Sequence, residues 1–163
     1  MVEIVVADAG PLIAFGRLRR IDVLAHVFEK IVVPRAVFGE TQFHPDLPDA
    51  EAIVSARDAG LFVVENSSPD MGSLPPDAEL GEGEAVAIAL AAERGHGVLI
   101  DEKFGRAVAE VLNLKVIGTV GVLLIARRRN LIPAVKPLLE GLKTSGHRLT
   151  DELIQEALRL AGE

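Results

Sequence analysis

The strongest constraint on this chain is an alternation. Five short apolar, largely β-branched runs recur along it: VEIVVA at 2–7, KIVV at 30–33, LFVVE at 61–65, VLI at 98–100 and KVI at 115–117. Helical stretches separate them. One begins at Pro11, and a second, 21–28, sets Ile21, Leu24, Ala25 and Phe28 on one face. Pro34 opens PRAVFGETQF, and further helices are predicted over 48–59, 80–94 and 103–112, with Gly60, the GHG of 95–97 and Asn113 as their stops. Strands without polar alternation, each followed by a helix, imply a parallel sheet covered on both faces. The expected fold is therefore three-layer α/β/α with a central parallel sheet of about five strands. The last quarter reads as helices only: GTVGVLLIARRRN, IPAVKPLLEGLK and TDELIQEALRLAG, the last with Thr150 as N-cap. We expect one domain, with residues 1–125 forming the α/β unit and 126–163 packing on it as C-terminal helices.

Composition narrows the chemistry. With 163 residues, 49% hydrophobic and 25% charged, the chain can fold on its own packing. It has no cysteine, so disulfides and thiolate metal sites are excluded, and any metal must be held by oxygen or histidine. There is no basic leader followed by an apolar core and no run long enough to span a bilayer, so a soluble, cytoplasmic protein without membrane contact is expected. The net charge of −7 is the wrong sign for holding nucleic acid by bulk attraction. A nucleic-acid role would need a local basic patch or a bridging cation.

Four acids stand where such a cation would sit. Ligands of open α/β sheets bind beyond the carboxyl ends of the strands. Asp8 follows the first strand, Asp101 directly follows VLI, Glu40 lies about two turns into the helix after KIVV, and Glu84 lies one turn into LGEGEAVAIALA. Each has an ordinary alternative. Asp8 and Asp101 suit helix caps, Glu40 suits a solvated helix face, and Glu82 and Glu84 suit a first helical turn. Convergence is favoured by their shared placement at one sheet edge. Carboxylates gathered there repel one another unless a hard cation such as Mg²⁺ or Mn²⁺ lies among them.

These segments, VVADAGPLIAF, VVPRAVFGET, LGEGEAVAIALA and VLIDEKFGRAVAEVLNLKVIGTVGVLL, resemble in order and spacing the PIN-domain nucleases, in particular the branch close to toxins of VapBC type. The similarity covers roughly residues 2–125. It implies an acidic pocket at the carboxyl strand edge and Mg²⁺- or Mn²⁺-dependent cleavage of RNA. By the same resemblance Asp8, Glu40, Glu84 and Asp101 are the metal-holding catalytic acids. Thr119, in IGTVG, matches a hydroxyl residue that hydrogen-bonds into the acids; as a plain structural residue it would cap VGVLLIARR. The chain departs from the pattern at Lys103, where many members carry a further acid. Glu102 beside it is then a candidate for the site or for solvent, and Glu82 ranks below Glu84. The resemblance also implies a homodimer and, for a toxin, an antitoxin protein that covers the acids.

Candidate phosphate contacts are Arg17, Arg19, Arg20, Lys103 and Arg106, whereas Arg127, Arg128 and Arg129 suit a helix C-terminus. Aromatic residues are only 4% of the chain, so base-stacking platforms are scarce. The four histidines are scattered and are given no metal role. Two other readings fit parts of the pattern: a PIN-like module that binds RNA or dimerises without cutting, and an α/β phosphoryl-transfer or receiver protein using Asp8. The second would want another acid beside Asp8, where the chain has Ala7, Ala9 and Gly10.

Overall fold

The computed structural model describes residues 3–163. Five strands, β1 (Ile4–Ala7), β2 (Lys30–Pro34), β3 (Val63–Glu65), β4 (Gly97–Leu99) and β5 (Val116–Ile117), form one sheet in the order β3-β2-β1-β4-β5, and every pairing is parallel. This is the expected parallel α/β architecture; of the predicted first strand, Val2 lies outside the described residues. Burial explains the sequence pattern: Val5, Val6 and Ala7 of the central strand and Val98 and Leu99 of β4 are wholly buried. Helices cover both faces of these strands, so no position is free to be polar.

The helices are α1 (Ala9–Arg17), α2 (Ile21–Val27), α3 (Arg35–Thr41), α4 (Pro48–Asp58), α5 (Glu82–Arg94), α6 (Lys103–Val111), α7 (Thr119–Arg128), α8 (Lys136–Thr144) and α9 (Asp151–Ala161). Helix α1 starts at Ala9 rather than at Pro11. A proline is tolerated throughout a first turn, because none of the N–H groups there has a partner within the helix. Pro34 closes β2 and occupies the N-cap position of α3 instead of its first turn. The C-terminal helices share the main core through Leu139, Leu142 and Ala157. Glu163 ties them together by accepting the Val135 N–H at 2.8 Å and the Lys136 N–H at 3.2 Å.

The strand order places a switch point at β1. The chain steps outward from β1 to β2 and β3, then crosses back to β4 and β5 on the other side. Connections leaving β1 and β4 therefore run in opposite directions and open a crevice between their carboxyl ends. Asp8 and Asp101 lie at that crevice.

Candidate active site

Asp8 follows Ala7, and its backbone N–H donates to Leu99 O at 2.9 Å, extending the β1–β4 ladder by one residue. The side chain occupies the N-cap position of α1 without making a capping hydrogen bond. Capping therefore does not account for this acid, which is only 8% exposed. Burial above all pushes its carboxyl up to about 6 from an ordinary 3.8. The Ala9 N–H opposes that rise, and the charges of Glu40, Asp101 and Glu102 add to it.

Asp101 arrives from the β4 side. Its Oδ1 accepts the Thr119 N–H at 2.7 Å and its Oδ2 accepts the Thr119 hydroxyl at 2.6 Å. Thr119 is fully buried and is the first residue of α7, the N-cap position falling to Gly118. Asp101 thus serves the N-terminus of α7, across the sheet, and not that of α6 next to it in sequence. Glu102 takes the latter task, accepting the Gly105 N–H at 2.7 Å. The two donors from Thr119 hold the Asp101 carboxylate in one orientation.

Glu40 and Glu84 come from α3 and α5, which pack together. Glu40 Oε1 accepts the Gly83 N–H at 3.0 Å, at the N-terminus of α5. A Cβ on Gly83 would run into that same oxygen, so a glycine there lets the acid approach the helix end. Glu84 is the third residue of α5, and its carboxyl is pushed up to about 7, first by burial, then by Asp8 and Glu102. A hydrogen bond between the Glu84 and Glu102 carboxyls adds to the rise, while the Gly81 N–H opposes it.

The structure thus gathers Asp8, Glu40, Glu84, Asp101 and Thr119 at the crevice and adds Glu102, whose charge acts on both Asp8 and Glu84. Glu82 is exposed and instead borders a separate hollow with Arg35 and Met71. Lys103 and Arg106 lie beside Asp101. Arg17, Arg19 and Arg20 do not: α1 carries the chain roughly 13 Å away from the carboxyl edge before reaching them, and Arg20 pairs with Asp22 at 3.0 Å. His147 is the residue the linear pattern did not single out. Its Nε2 lies 3.6 Å from Asp101 Oδ2, brought there by the connection between α8 and α9.

The donor set suits a hard divalent cation. The atoms it offers are carboxylate oxygens, they repel one another, and the raised proton affinity of Asp8 and Glu84 means that a bound cation would compete with protons there. Among the described residues no three or more His, Asp or Glu side chains stand close enough together to hold a metal ion between them. Mg²⁺ usually keeps several waters and takes only one or two carboxylates directly, so an open cluster is compatible with it.

A doubly covered parallel sheet with carboxylates massed at the switch point defines an α/β domain with an acid cluster at its carboxyl edge. The family described as DUF3368, PIN domain, matches residues 4–163, and the chain belongs to it. PIN domains are generally nucleases and typically bind Mg²⁺. The match includes the C-terminal helices, beyond residue 125 where the motif resemblance thins. No curated protein matches the chain. Among the described residues no helix is long and apolar enough to cross a membrane.

Proposed function

We propose that this protein is a Mg²⁺- or Mn²⁺-dependent endoribonuclease that hydrolyses RNA phosphodiester bonds in the Asp8 crevice. The observation that carries the reading is the set of acids converging on Asp8, whose proton affinity is raised by burial first and by the neighbouring carboxylates after it. Asp8, Glu40, Glu84 and Asp101 would hold the cation, which when bound supplies Lewis acidity toward a phosphoryl group and a more acidic water. Thr119 fixes Asp101 through its N–H and hydroxyl. The acids also bar a polyanion from the pocket until they are neutralised, which makes substrate entry itself cation-dependent.

The test is cleavage of an end-labelled single-stranded RNA with Mg²⁺ or Mn²⁺. Asp8→Asn and Asp101→Asn should each lower the rate by about two orders of magnitude or more, the scale expected when a ligand that shapes the reacting centre is lost. Folded wild-type protein that cuts no RNA with either metal would favour the non-cutting module instead. The toxin role implied by the motif resemblance predicts growth arrest on expression of the wild type and normal growth with Asp8→Asn.

A further inference from the structure

Beside the acidic crevice lies a second concavity of about 850 Å³, bounded by α6, β5, α7 and the 145–150 connection. It opens at Asp101. Its charged lining is the reverse of the crevice: Lys103, Arg106, Arg128 and Arg148 against Asp101 and Glu110, in a chain whose net charge is −7. The four cations come from α6, α7 and the C-terminal connection, so only the fold brings them together. None of the four is in an ion pair among the described residues, whereas Arg20, Arg57, Arg94, Lys115, Lys143 and Arg159 each pair with an acid. Between them the floor is apolar, with Val120, Leu124 and Leu149.

We propose that this groove is the track for the nucleic-acid strand leaving the crevice, with the C-terminal connection, through His147 and Arg148, forming its outer wall. The proposal rests on the nuclease reading and assigns a part of the chain that the motifs do not reach. Guanidinium and ammonium groups meet phosphate oxygens, and the apolar floor receives sugar and base faces. From Val120 to Arg128 the groove follows α7 for about 12 Å, and its volume is in the range that encloses a ligand a few hundred daltons in size. That suits a short single-stranded run. No Phe borders the groove and the His147 imidazole is a small ring at its wall, so binding should depend on charge more than on base identity.

The test measures binding apart from cutting. A fluorescein-labelled twelve-nucleotide single-stranded RNA of mixed sequence is titrated in EDTA at several salt concentrations and followed by anisotropy. Arg128 and Arg148 are both exposed, so the double variant Arg128→Ala/Arg148→Ala should fold normally, which a thermal melt checks. It should bind about tenfold more weakly, and the slope of log affinity against log salt should fall by about 1.4, near 0.7 for each lost phosphate contact. Arg148→Lys should restore most of the slope, which a purely structural role for Arg148 would not predict. Asp8→Asn should bind at least as well as the wild type. Unchanged affinity and slope in the double variant would overturn the groove, as would tighter binding of polyglutamate than of the RNA at equal charge concentration, which would mark a docking surface for an acidic protein. If the RNA binds through Arg128 and Arg148 but is never cut with either metal, the nuclease reading fails and the groove stands. If it is cut normally by the double variant, the groove fails and the nuclease reading stands.

Discussion

Asp8 pairs a large cost with a specific remedy. A carboxyl held at about 6 in the fold against an ordinary 3.8 binds its proton more tightly folded than unfolded. Its ionisation therefore costs nothing below pH 3.8 and reaches its full cost above about 6, on the order of 3 kcal/mol. Glu84, raised to about 7, acts in the same direction. The metal-free protein should thus lose stability as the pH rises from about 4 to 7, opposite to a protein whose carboxylates are salt-bridged. Asp8→Asn removes the charge and keeps the shape. Denaturant unfolding in EDTA at pH 8 should find that variant more stable than the wild type by about 1 to 3 kcal/mol, with the gap closing only toward about pH 4. A wild type whose stability is flat over that range would mean that Asp8 is not held at a raised value.

At the scale of elements, the crevice is built from helix ends. The linear sequence shows which acids lie near helix starts but not which helix each one serves. Asp101 precedes α6 yet binds Thr119 at the start of α7, eighteen residues on, because β4 and β5 are neighbours in the sheet. That exchange freed Glu102 for the cap of α6 and turned it toward Glu84, so the residue expected at the margin of the site lies inside it. Gly83 and Gly105 were equally illegible, since a glycine in a helix shows its purpose only once its neighbour across the packing is known. On Gly105 an added Cβ would meet the Glu84 carboxyl carbon at 2.9 Å and Ile100 Cδ1 at 2.5 Å. Gly105→Ala should destabilise by about 1 to 3 kcal/mol, the usual cost of overpacking, and should slow cleavage as well, because Glu84 must move. Thr119→Val tests the other side. The substitution is nearly isosteric, but it leaves Asp101 Oδ2 without its hydroxyl donor. We expect a loss of about 1 to 2 kcal/mol by thermal melt and a higher Mg²⁺ or Mn²⁺ concentration needed for half-maximal cutting, with Thr119→Ser close to the wild type in both.

For the molecule as a whole, the five strands and most helices were legible because buried parallel strands and amphipathic helices write themselves as local patterns. What the C-terminal helices bring to the site was not, since the return of the chain to the carboxyl edge after α8 is a property of packing. His147 reaches Asp101 only through that return. A consequence for the entire fold is that metal binding and folding are linked through the same acids. A cation that binds the folded crevice and not the unfolded chain stabilises by about 1.4 kcal/mol for each tenfold excess over its dissociation constant. Protons held by Asp8 and Glu84 compete with it, so the gain must shrink as the pH falls through about 7 and 6. Addition of Mg²⁺ or Mn²⁺ should therefore raise the melting temperature by several degrees at pH 8 and by little at pH 5.5. In Asp8→Asn the rise at pH 8 should be mostly lost, while K⁺ at equal ionic strength should not reproduce it in the wild type. Equal shifts with K⁺ and Mg²⁺ would reduce the effect to screening of a chain of net charge −7 and remove the case for a cation among these acids.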